Sequence, residues 1–324
     1  MRKFQYEAAI WYLFVSNEFY EGAARECDAT MEWFGKLAIS KQVGNFGRNN
    51  QIFDRFKKWA NDFRRGVELV KMEDYGLVWK TAGYMAGDVR GIMEQPLNSW
   101  MNENEYKEFE RVRIDRLMQY NSPITKTLNN AFNGAQIFFH PDPDWPEGSD
   151  WDQGFSGDEI IKWYEGTVKY NKDLPGWELP DPLPEYVIDK SISCRTGDEV
   201  PWTGVWYPAT GLEKHSLTFA IKGLRMQPVY RIVKTTEELS TPEYMFPPPQ
   251  TVAVETVWHP VVPSVRKAPA NDELWAKAGQ PCPKAGMWQP TDPGIAPRAY
   301  EVGMPMADLK SAYGITVWRW MSER

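Results

Sequence analysis

Hydrophobic side chains ahead of His140 recur at helical spacing. The clearest stripe lies between Asn50 and Lys71, where apolar residues follow one another at steps of three and four: Ile52, Phe56, Trp59, Phe63, Val67 and Val70. Charged residues such as Asp54, Lys57 and Arg64 fall off this stripe. The pattern predicts an amphipathic helix with one packed face and one solvated face.

Other stretches of the same half also predict helices. Asn121-Ser122-Pro123 predicts the end of one of them, because proline lacks the N–H that a helix interior needs. Ser156 and Glu159 have the spacing of a capping box, which predicts a last helix that ends near Tyr170. The predicted helices are about 4–19, 21–38, 76–95, 103–120, 124–135 and 156–170.

The chain changes character where prolines accumulate. Residues 1–140 hold two of the 25 prolines, and the later residues hold all the others. The run DLPGWELPDPLPEY at 173–186 cannot continue a helix and predicts an acidic linker. Short apolar runs separated by Pro and Gly follow it and predict strands. We therefore expect a helical domain at 1–172 and a β-rich domain at 187–324.

The β-rich part contains an internal repeat without a gap. The frame G-x3-P-x2-G-x-W-x-P occurs twice, once from Gly197 and once from Gly279. Its members are Gly197, Pro201, Gly204, Trp206 and Pro208 in the first copy, and Gly279, Pro283, Gly286, Trp288 and Pro290 in the second. The repeat predicts two related units at about 192–234 and 275–320.

In this alignment the strand Val229–Ile232 corresponds to the terminal strand 315–320. Each copy is expected to be an SH3-like minibarrel, with turns formed by glycines and a small core filled by Trp206 or Trp288. The predicted fold class is therefore α+β, an N-terminal helical domain followed by two related minibarrels. The frame residues are interpreted as structural.

The residues that usually carry catalysis or bind metals are sparse. Cys27, Cys194 and Cys282 are far apart and form no CxxC pair, which argues against a disulfide framework or a structural zinc site. The three histidines have no metal-ligand spacing, and no phosphate-binding glycine loop or nucleophile elbow occurs. The sequence predicts a protein that is not an enzyme and binds neither metal nor cofactor.

No stretch approaches the apolar length that a membrane span requires. The apolar run Ala8–Val15 is short, contains Trp11 and Tyr12, and continues the helical spacing, so it predicts a buried helix rather than a signal peptide. The expected location is the cytoplasm, with no membrane partner. A basic stripe with interleaved aromatics is also missing, which argues against nucleic acid as a partner.

The second copy carries a more specific pattern. It consists of Gly279, Cys282, Pro283, Gly286 and Trp288, followed by Met304-Pro305, Tyr313-Gly314 and Val317-Trp318. This pattern resembles the carboxy-terminal signature of immunity proteins from bacterial polymorphic toxin systems, immunity families seventy-one and seventy-two. The family often has two aromatic residues after the second glycine, where this chain has Met287-Trp288.

The resemblance implies a protein that binds and neutralises a cognate antibacterial toxin without catalysis. Such toxins are often delivered by contact-dependent machines such as type VI secretion. The expected partner is therefore a toxin domain, and the oligomeric state is left open.

Charge is distributed unevenly along the chain. Residues 140–189 contain thirteen acids and three lysines, a balance of -10, whereas the whole chain carries -7. The acids are interleaved with aromatic residues, a composition that suits contact with a basic protein such as a nuclease toxin. The candidate toxin-binding residues are Asp142, Asp144, Trp145, Glu147, Asp150, Trp151 and Asp152.

Two other interpretations remain open at this point. The acidic segment is equally compatible with a solvated loop that keeps the protein soluble. The tandem Trp-bearing copies are also compatible with a binding module for carbohydrate or cell wall.

Overall fold

A computed structural model of the protein describes residues 2–43, 47–133, 157–209, 217–242, 244–245, 247, 250–264, 274–290, 295–309 and 316–322. In these ranges helices dominate up to Tyr170 and antiparallel strands dominate from Tyr186 onward. The expected α+β class is confirmed. No helix of the described ranges is both long enough and apolar enough to cross a bilayer.

The helices follow the hydrophobic stripes. They are α1 (Arg2–Phe14), α2 (Asn17–Ser40), α3 (Gly47–Val70), α4 (Gly76–Met93), α5 (Glu103–Glu108), α6 (Asp115–Asn133) and α7 (Gly157–Tyr170), with a π-helical turn at Phe109–Ile114. The stripe of α3 is buried along its length, from Ile52 to Val70. Asn102 and Glu105 cap α5 reciprocally, which gives this short helix a defined start.

The predicted stop at Asn121-Ser122-Pro123 is wrong, because α6 continues through Pro123 to Asn133. Tyr120, Ile124 and Leu128 lie four residues apart and are completely buried on one face. Packing of this face outweighs the cost of about 3 kcal/mol for a proline inside a helix. The side-chain amide of Asn121 also donates to the carbonyl of Ala82 in α4.

The proline-rich run at 173–186 is partly buried, directly after its first residue, Asp173. Leu174 and Trp177 are buried, and the hydroxyl of Tyr120 donates to the carbonyl of Pro175 over 2.7 Å. The Trp177 ring also meets Phe19 edge-to-face, with the ring centres 5.4 Å apart. Residues 174–177 therefore pack with the helices that precede them.

The strands form two main sheets and a separate hairpin. The strands are β1 (Tyr186–Ile188), β2 (Cys194–Arg195), β3 (Gly204–Pro208), β4 (Thr218–Ala220), β5 (Val229–Lys234), β6 (Gln250–Val254), β7 (Val257–Pro263), β8 (Trp275–Lys277), β9 (Gly286–Pro290), β10 (Arg298–Tyr300) and β11 (Val317–Ser322). The first sheet has the order β1-β7-β3-β4, with β2 also paired to β7, and the second has the order β10-β9-β11-β8. A short helix, α8 (Thr236–Leu239), follows β5.

The chain divides into two compact units that each combine helices with one sheet. Unit 1 contains residues 1–16, 122–173 and 178–266, and unit 2 contains residues 17–121, 174–177 and 267–324. The first sheet thus belongs to the unit of α1 and α7, and the second to the unit of α2 to α5. This division does not follow the linear boundaries expected at 173–186.

The two copies of the repeat have the same hydrogen-bonded frame. The amide of Gly197 donates to the carbonyl of Met226 over 2.8 Å, and the amide of Gly279 donates to the carbonyl of Met306 over the same distance. Trp206 lies opposite Thr218 in β4, and Trp288 lies opposite Arg298 in β10. The two copies are therefore equivalent in their backbone hydrogen bonds and strand pairing as well as in the residues of the repeated frame.

The cores of the copies correspond residue by residue. The first core contains Cys194, Val200, Trp206, Ala220, Met226 and Trp258, and the second contains Ala276, Cys282, Trp288, Tyr300, Met306 and Trp318. Strand register supports the match, since Cys194 opposes Trp258 as Ala276 opposes Trp318. Both central tryptophans, Trp206 and Trp288, are completely buried.

The strand that completes the first copy differs from the prediction. In the second copy the tryptophan strand β9 pairs with β11. The equivalent strand of the first copy, β3, pairs with β7 and not with the predicted strand Val229–Ile232. The sheet of the first copy is therefore completed by β7, which lies beyond β5 and β6 in the sequence.

The difference between the copies is an insertion. Met226 is equivalent to Met306, and Val257 is equivalent to Val317. The chain between these positions covers 227–256 in the first copy but only 307–316 in the second. The strands β5 and β6 form their hairpin within this longer stretch.

Each copy is attached to a helical element of its own unit. In unit 1 three side chains of α1 make these contacts. The side chain of Gln5 exchanges hydrogen bonds with the backbone of Tyr186, and the hydroxyl of Tyr12 donates to the carbonyl of Val261. The carboxylate of Glu7 accepts a hydrogen bond from the amide of Leu217 over 3.0 Å.

In unit 2 the attachment uses the turn that follows α3. Lys277 pairs with Asp74 over 2.6 Å, and the ammonium of Lys71 lies 4.4 Å from the ring centre of Trp275. Side chains of α1 in unit 1, and of the turn after α3 in unit 2, thus hold each sheet against the helices of its own unit.

Replacing Trp288 or Trp206 by Ala should lower the free energy of unfolding by about 3–5 kcal/mol, because each change empties the centre of a small core. Chemical denaturation measures the loss. Val302→Ala in the second copy is the matched control, since Val302 is 67% exposed and its loss should cost about 0.5 kcal/mol or less. A Trp288 variant with unchanged stability would contradict a role in the core.

Gly286→Ala should destabilise the protein more than Gly279→Ala. Gly286 has φ +145°, and a Cβ there would lie 2.4 Å from the carbonyl oxygen of Ser322. Gly279 has φ +80° with open space around the added atom, so its replacement costs only backbone strain of about 1–2 kcal/mol. Comparing the two denaturation midpoints tests the difference, and equal midpoints would refute it.

Candidate interaction surface

The tryptophans of the repeat motif lie inside the cores of the two copies. Gly204 and Gly286 are buried beside their tryptophans. The indole of Trp206 donates to the carbonyl of Trp202 over 3.2 Å, and the indole of Trp288 donates to the carbonyl of Lys284 over 3.0 Å. The polar atom of each buried ring is therefore already used inside its own copy. The exposed frame members are Gly197, Pro201, Gly279 and Pro283.

The three thiols are all buried and free. Burial raises the pKa of Cys27 well above its usual range, and the neighbouring carboxylates of Asp28 and Glu26 add to the effect. Burial, followed by the charge of Asp198, also raises the pKa of Cys194. A raised thiol pKa reduces the thiolate fraction, which is the nucleophilic and metal-binding form.

The described ranges contain no group of three or more side chains that could hold a metal ion. His259 is half-buried, and its Nδ1 lies 2.8 Å from the carbonyl oxygen of Ile192, which occupies that nitrogen. His140 and His215 lie outside the described residues.

The acidic segment is divided between described and undescribed residues. All seven predicted contact residues, Asp142, Asp144, Trp145, Glu147, Asp150, Trp151 and Asp152, lie outside the described part. Residues 157–189 are described and contain eight acids and three lysines, so half of the excess charge of 140–189 lies there.

The described half exposes its charges together with apolar side chains. Tyr170 at the end of α7 is 79% exposed, and Leu183 is partly exposed. The acids exposed in the same stretch are Glu165, Asp173, Glu178, Asp181 and Glu185. A segment of this composition offers both long-range attraction for a basic protein and apolar contact area.

Packing on α1 fixes the position of this half. Ile160 and Tyr164 of α7 are buried, and Tyr164 meets Tyr6 of α1 edge-to-face at 6.1 Å. Trp163 meets Phe14 at 5.8 Å in the same way. Partial burial and the nearby carboxylate of Glu165 raise the pKa of Tyr6. The segment is therefore anchored on a helix before it enters β1.

The hairpin of β5 and β6 is a second exposed feature, and the sequence pattern did not reveal it. Val233, Tyr244, Met245 and Val252 on it are between 40% and 62% exposed. The only local signals were two short apolar runs around a proline-rich turn, which did not indicate that the runs pair with each other outside the repeated frame.

Comparisons with protein-family models, with curated proteins and with solved structures found no match.

The native protein should react slowly with Ellman's reagent at pH 8, because burial blocks all three thiols and the raised pKa of Cys27 and Cys194 leaves little thiolate there. In guanidinium chloride all three should react within minutes. Absorbance at the wavelength of the released thiolate measures both rates, and a fast native phase would reveal an activated cysteine.

Proposed function

We propose that the protein is an immunity protein that binds a cognate antibacterial toxin domain and blocks the active site of that domain. The observation that carries the proposal is the concentration of negative charge in residues 140–189, together with the exposed aromatic and apolar side chains of its described half. The signature of the second copy, with its resemblance to polymorphic-toxin immunity proteins, supports the same conclusion.

A basic enzyme is the partner that this surface fits best. A nuclease toxin binds phosphates with Lys and Arg, so its active site carries positive potential. An acidic protein surface competes for that potential and accelerates encounter through long-range attraction. Inhibition by occlusion requires affinity alone, so no catalytic step is proposed for this chain.

The two copies are, in this proposal, SH3-like minibarrels that serve as frames. Their six equivalent core positions and shared backbone hydrogen bonds support the assignment. A carbohydrate-binding module would need aromatic faces at the surface of the copies. The motif tryptophans are buried instead, which favours the toxin-binding function over that alternative.

Changing Asp142, Asp144, Asp150 and Asp152 together to Asn should slow association with the toxin, because each change removes a steering charge. The probe is the purified carboxy-terminal domain of the protein encoded next to this gene, and binding kinetics are measured on a biosensor. The effect should be large at low salt and small at high salt, because the screening length is already about 8 Å at physiological salt and shortens further as salt is added. Trp145→Ala or Trp151→Ala should instead accelerate dissociation. If either residue is a hot spot, its loss should weaken the binding free energy by about 2 kcal/mol or more.

The matched control changes four exposed acids elsewhere, Glu18, Asp54, Glu94 and Glu199, to their amides. This variant has the same change in net charge, so it separates the position of the charges from their number. Equal slowing by the two variants would show that only net charge matters. If the wild-type protein does not bind the probe, the proposed function is wrong.

A further inference from the structure

The two copies provide an internal comparison that isolates one feature of the first. Both complete the same frame and the same core, yet the first uses a longer stretch, 227–256 against 307–316, between equivalent positions. The second copy shows that the frame does not need the additional residues. The insertion is therefore not needed to close the sheet.

The base of the inserted hairpin packs against the core of the first copy. Val229, at the start of β5, packs against the core of the first copy, and its register partner in β6 is Val254. Further out, Val252 lies opposite Arg231 and is 46% exposed, and Met245 is 62% exposed. Within the described residues β5 and β6 pair with each other and with no other strand.

A hairpin of this kind gains stability from a partner. Isolated two-stranded ribbons are marginally stable in water, and their outer edges present unpaired N–H and C=O groups. Apolar side chains beside such an edge are suited to contact with another protein, through an added strand or through the exposed face.

Charge indicates the kind of partner. The insertion, taken as 229–256, contains four acids and two bases, a balance of -2. The rest of the first copy, 192–228 and 257–264, contains three acids and four bases, and the second copy, 274–322, contains three acids and five bases. The insertion is therefore an acidic addition to frames that are otherwise slightly basic. Glu237 and Glu238 of α8 and Glu255 are all exposed, so the charge faces solvent.

We propose that the β5–β6 hairpin is a second toxin-contacting element, which places its exposed apolar side chains against the basic toxin domain while its acids surround that contact. The inference rests on the proposed function and adds a contact surface to it. The carboxylates of the acidic segment accelerate encounter, and the hairpin, like the tryptophans of that segment, extends the lifetime of the complex.

The test uses the double variant Met245→Ser and Val252→Ser in the full chain. We expect the dissociation constant for the carboxy-terminal domain of the neighbouring gene product to rise about tenfold or more, through faster dissociation. The matched control is Val302→Ser with Met304→Ser in the second copy, which are 67% and 48% exposed and should leave the dissociation constant within about twofold.

A second variant removes the insertion at equivalent residues. Residues 227–255 are replaced by the sequence of 307–315, so that Met226 and Thr256 are joined as Met306 and Thr316 are in the second copy. The variant should unfold cooperatively and show the same loss of affinity. If it does not fold, the double variant decides the question.

The outcomes separate the two proposals. If the wild-type protein binds the toxin domain and the double variant binds it equally well, the hairpin contact is overturned and the proposed function stands. Failure of the wild type to bind overturns both. Sedimentation of the protein alone is the third measurement: a dimer that the double variant abolishes would identify a second copy of this chain as the occupant and would overturn the toxin contact.

Discussion

A buried indole N–H without an acceptor costs about 1–3 kcal/mol, and both copies of the repeat avoid this cost at their central tryptophan in the same way. Trp206 and Trp288 use the carbonyl four residues earlier, at Trp202 and Lys284. The intervening turn must bring that carbonyl under the ring, which explains the proline and glycine of the frame. In each copy the strand that carries the tryptophan then has neighbours on both sides, so the sheet forms around the ring.

One buried tryptophan of the first copy lacks a hydrogen bond that its counterpart in the second copy makes. In the second copy the indole of Trp318 donates to the carbonyl of Ala307 over 2.9 Å. The equivalent Trp258 is only 3% exposed, and among the described residues its indole nitrogen has no hydrogen-bond partner. An unsatisfied buried donor costs about 1–3 kcal/mol.

Features with a local cause could be predicted from the sequence, and features set by distant contacts could not. The stripe of α3 and the frame of the repeat depend on spacing within a few residues, and both are found in the structure. The stop at Pro123 was predicted wrongly because buried packing around Tyr120 and Ile124 is not visible locally. The partner of β3 was also assigned wrongly, since Val229–Ile232 and Val257–Val262 are equally β-like. The charge of the acidic segment follows from composition, but its predicted contact residues lie outside the described ranges, and the exposed hairpin has no sequence signature.

The close equivalence of the two cores also creates a hazard during folding. Strands β7 and β11 present tryptophans at matching positions, so each could enter the sheet of the other copy, a form of misassembly common in repeat proteins. Synthesis from the amino terminus reduces this risk. Strand β7 ends at Pro263, before β8 begins at Trp275, and α1, which binds the first sheet through Gln5 and Tyr12, precedes both strands in the sequence. The first copy can therefore close on its own strand while the competing one has not yet left the ribosome.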